Sequence, residues 1–315
     1  MERVILHSDA NCFYASVEML YHPEYVGKPL AVGGDSEARH GIVLTANYIA
    51  KRSGVKTGMA LWQAKQVCPD ITFLPPRMDL YLRFSRMAQE IYADYTDKRE
   101  PYGIDESWLD VTDSATLKGD GFHIAQEISS RMKKELGITV SVGVSFNKIF
   151  AKLGSDMKKP DAITEIRQDN FKEKIWPLDA VELLYVGRST ENKLAQYGIR
   201  TIGDVAKTSP ETLQHMLGIN GIKLWRYANG TDTSRVMHKD FVSPVKSIGH
   251  GITCTADLQT PEEVFRVMLE LSQDVGHRLR VHELMACGVQ VSVRANDLYG
   301  SQYQCIAICP VSSAI

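Results

Sequence analysis

The apolar positions of this chain change period repeatedly, and each change predicts an element. Val4, Ile5 and Leu6 form a short continuous apolar run that reads as a buried strand running into Asp9. From Asn11, a residue type suited to an N-cap, Phe13, Val17 and Leu20 recur at helical spacing. Residues 28–33 read as a strand on Leu30, Ala31 and Val32, and Gly33-Gly34-Asp35-Ser36-Glu37 as a turn. Residues 41–52 read as a strand feeding a helix near Thr45, and 59–67 as another helix, before Pro75-Pro76 closes this small region.

A long amphipathic helix over 80–95 carries Leu82, Phe84, Met87, Ile91 and Tyr95. A hairpin over 102–112, a helix over 121–136 on Ile124, Ile128 and Met132, and a strand over 139–145 come next. The order of strand, insert, helix, hairpin, helix, strand suits a ferredoxin-like sheet with helices on one face. Beyond residue 171 the pattern becomes short helices separated by glycines. A final α+β unit begins near 245, with a helix over 261–281, a strand over 285–294 and part of another near 302–308. The fold class is therefore α+β in several domains.

Composition narrows the function classes. With 315 residues, 44% hydrophobic and 23% charged, the chain reads as a soluble globular protein of two or more domains. No apolar run is long enough for a membrane span, and no cleavable signal precedes the first strand. Six cysteines without a CxxC pair suit a reduced, cytoplasmic compartment. A net charge of −2 gives no global basic footprint, so any nucleic-acid contact has to be local.

Candidate chemistry gathers around Asp105 and Glu106. Neighbours on a regular strand point to opposite faces, so these two act together only if the backbone turns sharply, for which Gly103 is well placed. If the 4–6 strand lay beside the hairpin, Asp9 would join them, and three carboxylates suit Mg²⁺. The competing reading is two ordinary polar turn residues. Thr45, Tyr48 and Lys51 or Arg52 lie three or four residues apart and form either a phosphate-binding helix start or a solvated face. The 147–160 stretch is the most basic of the chain, with Lys152 on its helix and Lys159 before Pro160. Around Gly187 and Gly198, and again around Gly218 and Gly221, an apolar residue precedes glycine at a tight bend, as in a helix-hairpin-helix element. Such bends aim backbone N–H groups at phosphates, or serve only to pack helices. Residues 231–244 read as a polar tether followed by Lys246.

Taken together, the 8–18 stretch Ser-Asp-Ala-Asn-Cys-Phe-Tyr-Ala-Ser-Val-Glu, Thr45-Ala46-Asn47-Tyr48, Gly103-Ile104-Asp105-Glu106 and the 148–160 stretch resemble the Y family of translesion DNA polymerases, on its DNA polymerase IV (ImpB-MucB-SamB type) branch. The resemblance runs from residue 1 to about 304. It implies a right-hand polymerase with a palm over 1–10 and 78–166, small fingers over 11–77, a thumb over 167–232, a linker over 233–244 and a little finger over 245–315. It implies template-directed, low-fidelity nucleotidyl transfer from dNTPs in damage tolerance. Asp9, Asp105, Glu106 and the Ala10 carbonyl would hold two Mg²⁺ ions. Phe13, Tyr14, Thr45, Tyr48, Lys51 or Arg52, and Lys159 would bind the dNTP, with Tyr14 as the sugar gate that excludes a 2′-OH. Gly187, Gly218, Gly221 and Lys246 would meet primer-template DNA. A cytoplasmic, nucleoid-associated monomer is expected. The closing part of the little finger, and a clamp-binding peptide beyond it, are expected to be missing. Departures from the family pattern are Gly103 for Ser, the Lys51-Arg52 order, Asn11 for Asp, bulky Ile42 and Leu44, and the tail after Gln304. A catalytically silent DNA-binding scaffold and a cyclic-dinucleotide synthase are the competing functions. The retained carboxylates and Tyr14 argue against the first. The lack of a full Gly-Gly-Asp/Glu-Glu-Phe signature argues against the second.

Overall fold

The computed structural model describes residues 2–34, 41–294 and 303–308. The Asp35-Ser36-Glu37 part of the expected turn and the tail from residue 309 lie outside them. The chain divides into two compact units, residues 1–33 with 43–241, and residues 34–42 with 242–315.

The first unit opens with β1 (Ile5–Ala10), α1 (Phe13–Tyr21), β2 (Leu30–Gly33), β3 (Val43–Ala46), α2 (Tyr48–Arg52), α3 (Leu61–Val67) and β4 (Thr72–Leu74). Then come α4 (Met78–Ala93), β5 (Arg99–Tyr102), β6 (Glu106–Asp110), α5 (Ala115–Lys118), α6 (Gly121–Arg131), β7 (Val140–Ser145), α7 (Lys148–Met157) and β8 (Ile163–Ile166). A helical stretch follows, of α8 (Phe171–Ile175), α9 (Arg188–Gln196), α10 (Ile202–Lys207), α11 (Pro210–Leu217) and α12 (Ile219–Ala228).

The central sheet has the strand order β5-β6-β1-β7-β8, with β1 antiparallel to both of its neighbours. Flanked on both edges, β1 is buried along its whole length, which explains its unbroken apolar start. Alternation sorts the side chains of the sheet. Leu6, Leu109, Val142 and Val144 pack with Ile91 and Tyr92 of α4, Ile124 and Ile128 of α6, and Met132 just after α6. The opposite face was expected to be free of helices, and it is not: α7 packs there across β1, β7 and β8. Gly143 permits this, because a Cβ at that position would lie 1.8 Å from the Ala151 carbonyl oxygen.

Three further sequence expectations shift. Thr45 lies in β3, paired with Val32, and not on the helix with Tyr48. The helix begins later because the Asn47 side chain accepts from Ala50 N–H at 3.0 Å, while its amide also donates to Lys28 O at 2.7 Å. Asn11 is not an N-cap. Cys12, with φ 48°, breaks strand from helix, and Asn11 instead donates to Ser141 Oγ and accepts from Thr139 Oγ1 and Asp161 N–H. Residues 231–241, read as part of a tether, are docked on the first unit. Val236 is buried with Ile5, Trp108 and Ala151, and Lys239 N–H donates to Asp97 O.

β2, β3 and β4 form a small second sheet over their own core of Ala31, Val43, Ala50, Ala64 and Ile71. The helical stretch shares a core with Phe150, Leu153 and Ile166 of α7 and β8. The second unit has α13 (Pro261–Val281), opened by a capping box between Thr260 and Glu263, and an antiparallel pair of β9 (Gly288–Val293) and β10 (Tyr303–Ile308). Among the described residues no helix is long and apolar enough to cross a membrane.

Candidate active site

The antiparallel register of β1 and β6 sets Asp9 directly opposite Glu106. Side chains opposite one another share a face, so both carboxylates project toward α7. Asp105 reaches them by the turn. Gly103, at φ 78°, reverses the chain between β5 and β6, leaving Asp105 as the last turn residue and Glu106 as the first of the strand. The Asp105 carbonyl accepts from Ala10 N–H at 3.0 Å, which ties the turn to the end of β1. Three carboxyl groups therefore meet at one end of the central sheet.

Positive charge from α7 and the residues just after it answers them. Lys152 donates to Glu106 Oε2 at 2.5 Å. Lys159 donates to Asp9 Oδ2 at 2.7 Å and also lies 2.9 Å from Asp156 Oδ1. Under Glu106 lies buried His7, whose Nδ1 is 2.8 Å from Ser155 Oγ. Its Nε2 is 3.2 Å from Glu106 Oε2 but off the line that a hydrogen bond requires, leaving a close electrostatic contact.

The three carboxyls titrate apart. Burial, followed by the charges of Asp9 and Glu106, pushes Asp105 up to about 6. Burial also raises Asp9 against the pull of Lys159. For Glu106 burial works upward too, but His7 and Lys152 together outweigh it and bring the group down to about 2. Burial, the largest influence, holds His7 below its usual value. Such a split among adjacent acids is typical of sites that handle charge.

Among the described residues no three His, Cys, Asp or Glu side chains stand close enough to enclose a metal ion as they are. Lys152 and Lys159 instead neutralise Glu106 and Asp9. The donor set is nonetheless all oxygen, and the raised Asp105 marks a site short of positive charge. Both observations fit a hard cation such as Mg²⁺.

The remaining candidates divide by location. Tyr14, near the start of α1, is close enough to Asp105 to feel its charge, and no side chain caps that helix N-terminus. Phe13 is buried in the main core, so only its backbone can serve a ligand. The Cys12 thiol feels both Tyr48 and Lys51, and Tyr48 also feels Lys159 and Asp9, so α2 borders the carboxylates. Lys51 and Arg52 are both exposed on the last turn of α2, and the Lys51 ammonium lies 5.1 Å above the Tyr48 ring. Thr45 is half-buried on β3.

The glycines of the helical stretch separate in the same way. Gly187 is exposed at the start of α9, with open space where a Cβ would be. Gly218, at φ 64°, makes the bend between α11 and α12, but its N–H is taken by Gln214 O. Gly221 is corrected outright. It is buried, a Cβ there would lie 2.0 Å from the Leu213 carbonyl oxygen, and its N–H is bonded to Gly218 O, so it packs helices and offers nothing to a phosphate. Lys246 is exposed in the second unit, on a stretch without regular structure.

His7 and Asp156 were missed in the sequence. The signals were there: His7 and Asp9 alternate onto one strand face, and Asp156 stands four residues after Lys152 and three before Lys159.

Comparison with known proteins adds three family matches. The impB/mucB/samB family model matches residues 8–156, a model for the DNA polymerase-iota thumb domain matches 183–232, and the impB/mucB/samB C-terminal domain matches 245–314. The chain is 53% identical over 298 residues to a DNA polymerase IV of Acetivibrio thermocellus, covering 95% of this chain and 75% of that one. It is 42% identical over 295 residues to a DNA polymerase IV 1 of Bacillus subtilis, covering 94% and 71%. A Y-family DNA polymerase chimera of known structure superposes with a TM-score of 0.84 at 27% identity, covering 97% of this chain and 88% of that one.

Proposed function

Because the chain belongs to the impB/mucB/samB family of Y-family DNA polymerases, we propose that Asp9, Asp105 and Glu106 are where it joins nucleotides to a primer. The chain is a DNA-directed DNA polymerase. The observation that carries the assignment is the β1–β6 register, which sets Asp9 against Glu106 with Asp105 on the adjoining turn. Phosphoryl transfer asks for positioned groups and charge compensation more than for covalent chemistry, and this arrangement supplies both.

In this reading Asp9, Asp105, Glu106 and the Ala10 carbonyl hold two Mg²⁺ ions. Bound there, they would supply charge neutralisation at the transferring phosphate and a lowered pKa for the primer 3′-OH. The chain's own residues do the rest. Lys159 leaves Asp9 for the triphosphate, a move for which its second partner Asp156 keeps it within reach. Lys152 stays on Glu106 and keeps that carboxylate ionised. Tyr48 and Lys51 hold the outer phosphates, and Lys51 is the better candidate than Arg52 because it already leans over Tyr48 toward Cys12. The uncapped N–H groups of Phe13 and Tyr14 complete the cradle. The Tyr14 ring faces the deoxyribose and excludes a 2′-OH. Gly187, Gly218 and Lys246 are the remaining proposed DNA contacts, Gly218 by shaping its bend.

The domain assignment belongs to the same proposal: palm 1–10 and 78–166, fingers 11–77, thumb 167–232, linker 233–244 and little finger from 245. The family matches at 183–232 and 245–314, and the division of the chain after Phe241, support it. Low-fidelity synthesis past damaged template bases is the proposed role.

Primer extension on an undamaged template with Mg²⁺ and four dNTPs tests the site. Wild type is expected to extend, and Asp105→Ala and Glu106→Ala to abolish extension while DNA binding persists. Extension undiminished in either variant would sink the assignment. A wild type that binds DNA without extending it would favour the silent scaffold.

A further inference from the structure

Glu18 is a carboxylate inside the protein with 1% exposure, and it takes no part in the chemistry described above. It lies one helical turn after Tyr14 on α1, on the same face. Its partners come from α4 and the residue just before it. Arg77 donates to Glu18 through Nε at 3.0 Å and through Nη2, and the Tyr81 hydroxyl donates to Oε1 at 2.6 Å. His22 Nε2 is more distant, at 3.9 Å from Oε2.

The ring of Tyr81 does a second thing. It stacks on the Tyr14 ring, with centroids 4.4 Å apart and planes 16° from parallel. Tyr81 itself is fully buried, so its ring can move only if its hydroxyl anchor moves. Burial and the bond to Glu18 push its phenol well up, which keeps the hydroxyl protonated as the donor. A chain of contacts thus runs from Arg77 through Glu18 to Tyr81 and then to Tyr14.

We infer that Glu18 is a positioning residue for sugar selection: by anchoring the Tyr81 hydroxyl it fixes the platform on which the Tyr14 ring rests, and so the ring's approach to C2′ of the incoming nucleotide. The inference rests on Tyr14 as the residue beside that sugar. A ring that discriminates hydrogen from hydroxyl works by steric margin, and a shift of about 1 Å in a positioning group is enough to degrade such a margin. The ion pair with Arg77 is half outside the protein, but the Glu18 end is not. The carboxylate therefore stays where α1 and α4 hold it, and the pair ties the two helices together.

The test compares single-nucleotide insertion of a dNTP and the matching rNTP by wild type, Glu18→Gln, Tyr81→Phe and Tyr14→Ala. Glu18→Gln keeps the size of the side chain but weakens its grip on Arg77 and Tyr81. It is expected to lower dNTP-over-rNTP discrimination by about tenfold or more, through faster rNTP insertion, with dNTP kcat/KM changed by no more than about threefold. Tyr81→Phe removes only the anchoring hydroxyl and is expected to move discrimination the same way by a smaller factor, which covers the case of an unfolded Glu18→Gln. Discrimination unchanged in both, while Tyr14→Ala admits ribonucleotides, would overturn the inference and leave the gate standing. So would dNTP and rNTP rates that fall by one common factor, the mark of a purely structural role. If Tyr14→Ala itself left sugar selection unchanged, the gate reading would fail first and the inference with it.

Discussion

At the scale of single residues, Asp105 carries the sharpest consequence. Its carboxyl is raised to about 6 from an ordinary value of 3.8, chiefly by burial and then by Asp9 and Glu106. A group whose folded value is raised contributes stability below its unfolded value and loses that contribution as pH rises through the folded one. In metal-free protein the cost of this residue therefore grows between about pH 4 and pH 7 and persists in full above, and a bound cation would remove it. Glu106, held at about 2, stays ionised throughout that window. The increase in Tm produced by Mg²⁺ is expected to be larger at pH 7.5 than at pH 5.5, with that difference much reduced in Asp105→Asn. The variant comparison is needed because His7, lowered by burial, has its own and opposite pH dependence. A Mg²⁺ effect that grew on acidification would contradict the assignment. The types of residue at this site were legible in the sequence, since paired acids beside a glycine announce themselves. Their inequality was not, because it depends on which lysine reaches which carboxylate across more than forty residues of chain.

At the scale of elements, the close seat of α7 on the sheet decides whether those lysines arrive. Gly143 lies against the backbone of Ala151 and Ser155, so a methyl group there has no rotamer to escape into. Gly143→Ala is expected to cost about 3 kcal/mol or more, read as a lower urea midpoint at unchanged m-value. Extension should fall further than stability alone explains, because Lys152 moves with the helix and Lys159 with the segment that follows it. A variant of wild-type stability would mean that α7 does not rest on β7 as described. The helix itself was readable from its pattern, and Asn147 caps it by accepting from Phe150 N–H. The face it covers was not readable. Strand alternation tells which residues share a side but not which side receives which helix. Its only trace was a lone glycine in a strand of valines. Asn11 misled for a related reason. It has the chemistry of a cap, yet it joins three separated segments, a use that no local pattern distinguishes.

At the scale of the whole molecule, the separation between site and remainder is itself testable. All three carboxylates, both lysines, Tyr14, Tyr48 and Lys51 fall in the first unit, as does every residue of the two larger apolar cores. That unit does not end where its last helix ends. The strap that follows α12 is fastened by Arg3 to Ser234 O, by Val236 among Ile5 and Trp108, by Glu100 to Met237 N–H and by Lys239 to Asp97. Ending the chain after Phe241 keeps those contacts, whereas ending it after Gly230 strips cover from Ile5 and Trp108. The 1–241 chain is therefore expected to unfold in one cooperative transition and to show the same Mg²⁺-dependent rise in Tm as the full chain. The 1–230 chain is expected to be less stable by the burial of one valine and several backbone bonds, about 2–4 kcal/mol. Equal stability of the two shortened chains would mean that the strap is a tether after all, as its polar composition suggested. Loss of the Mg²⁺ effect in 1–241 would mean that the carboxylate site draws on residues beyond the first unit.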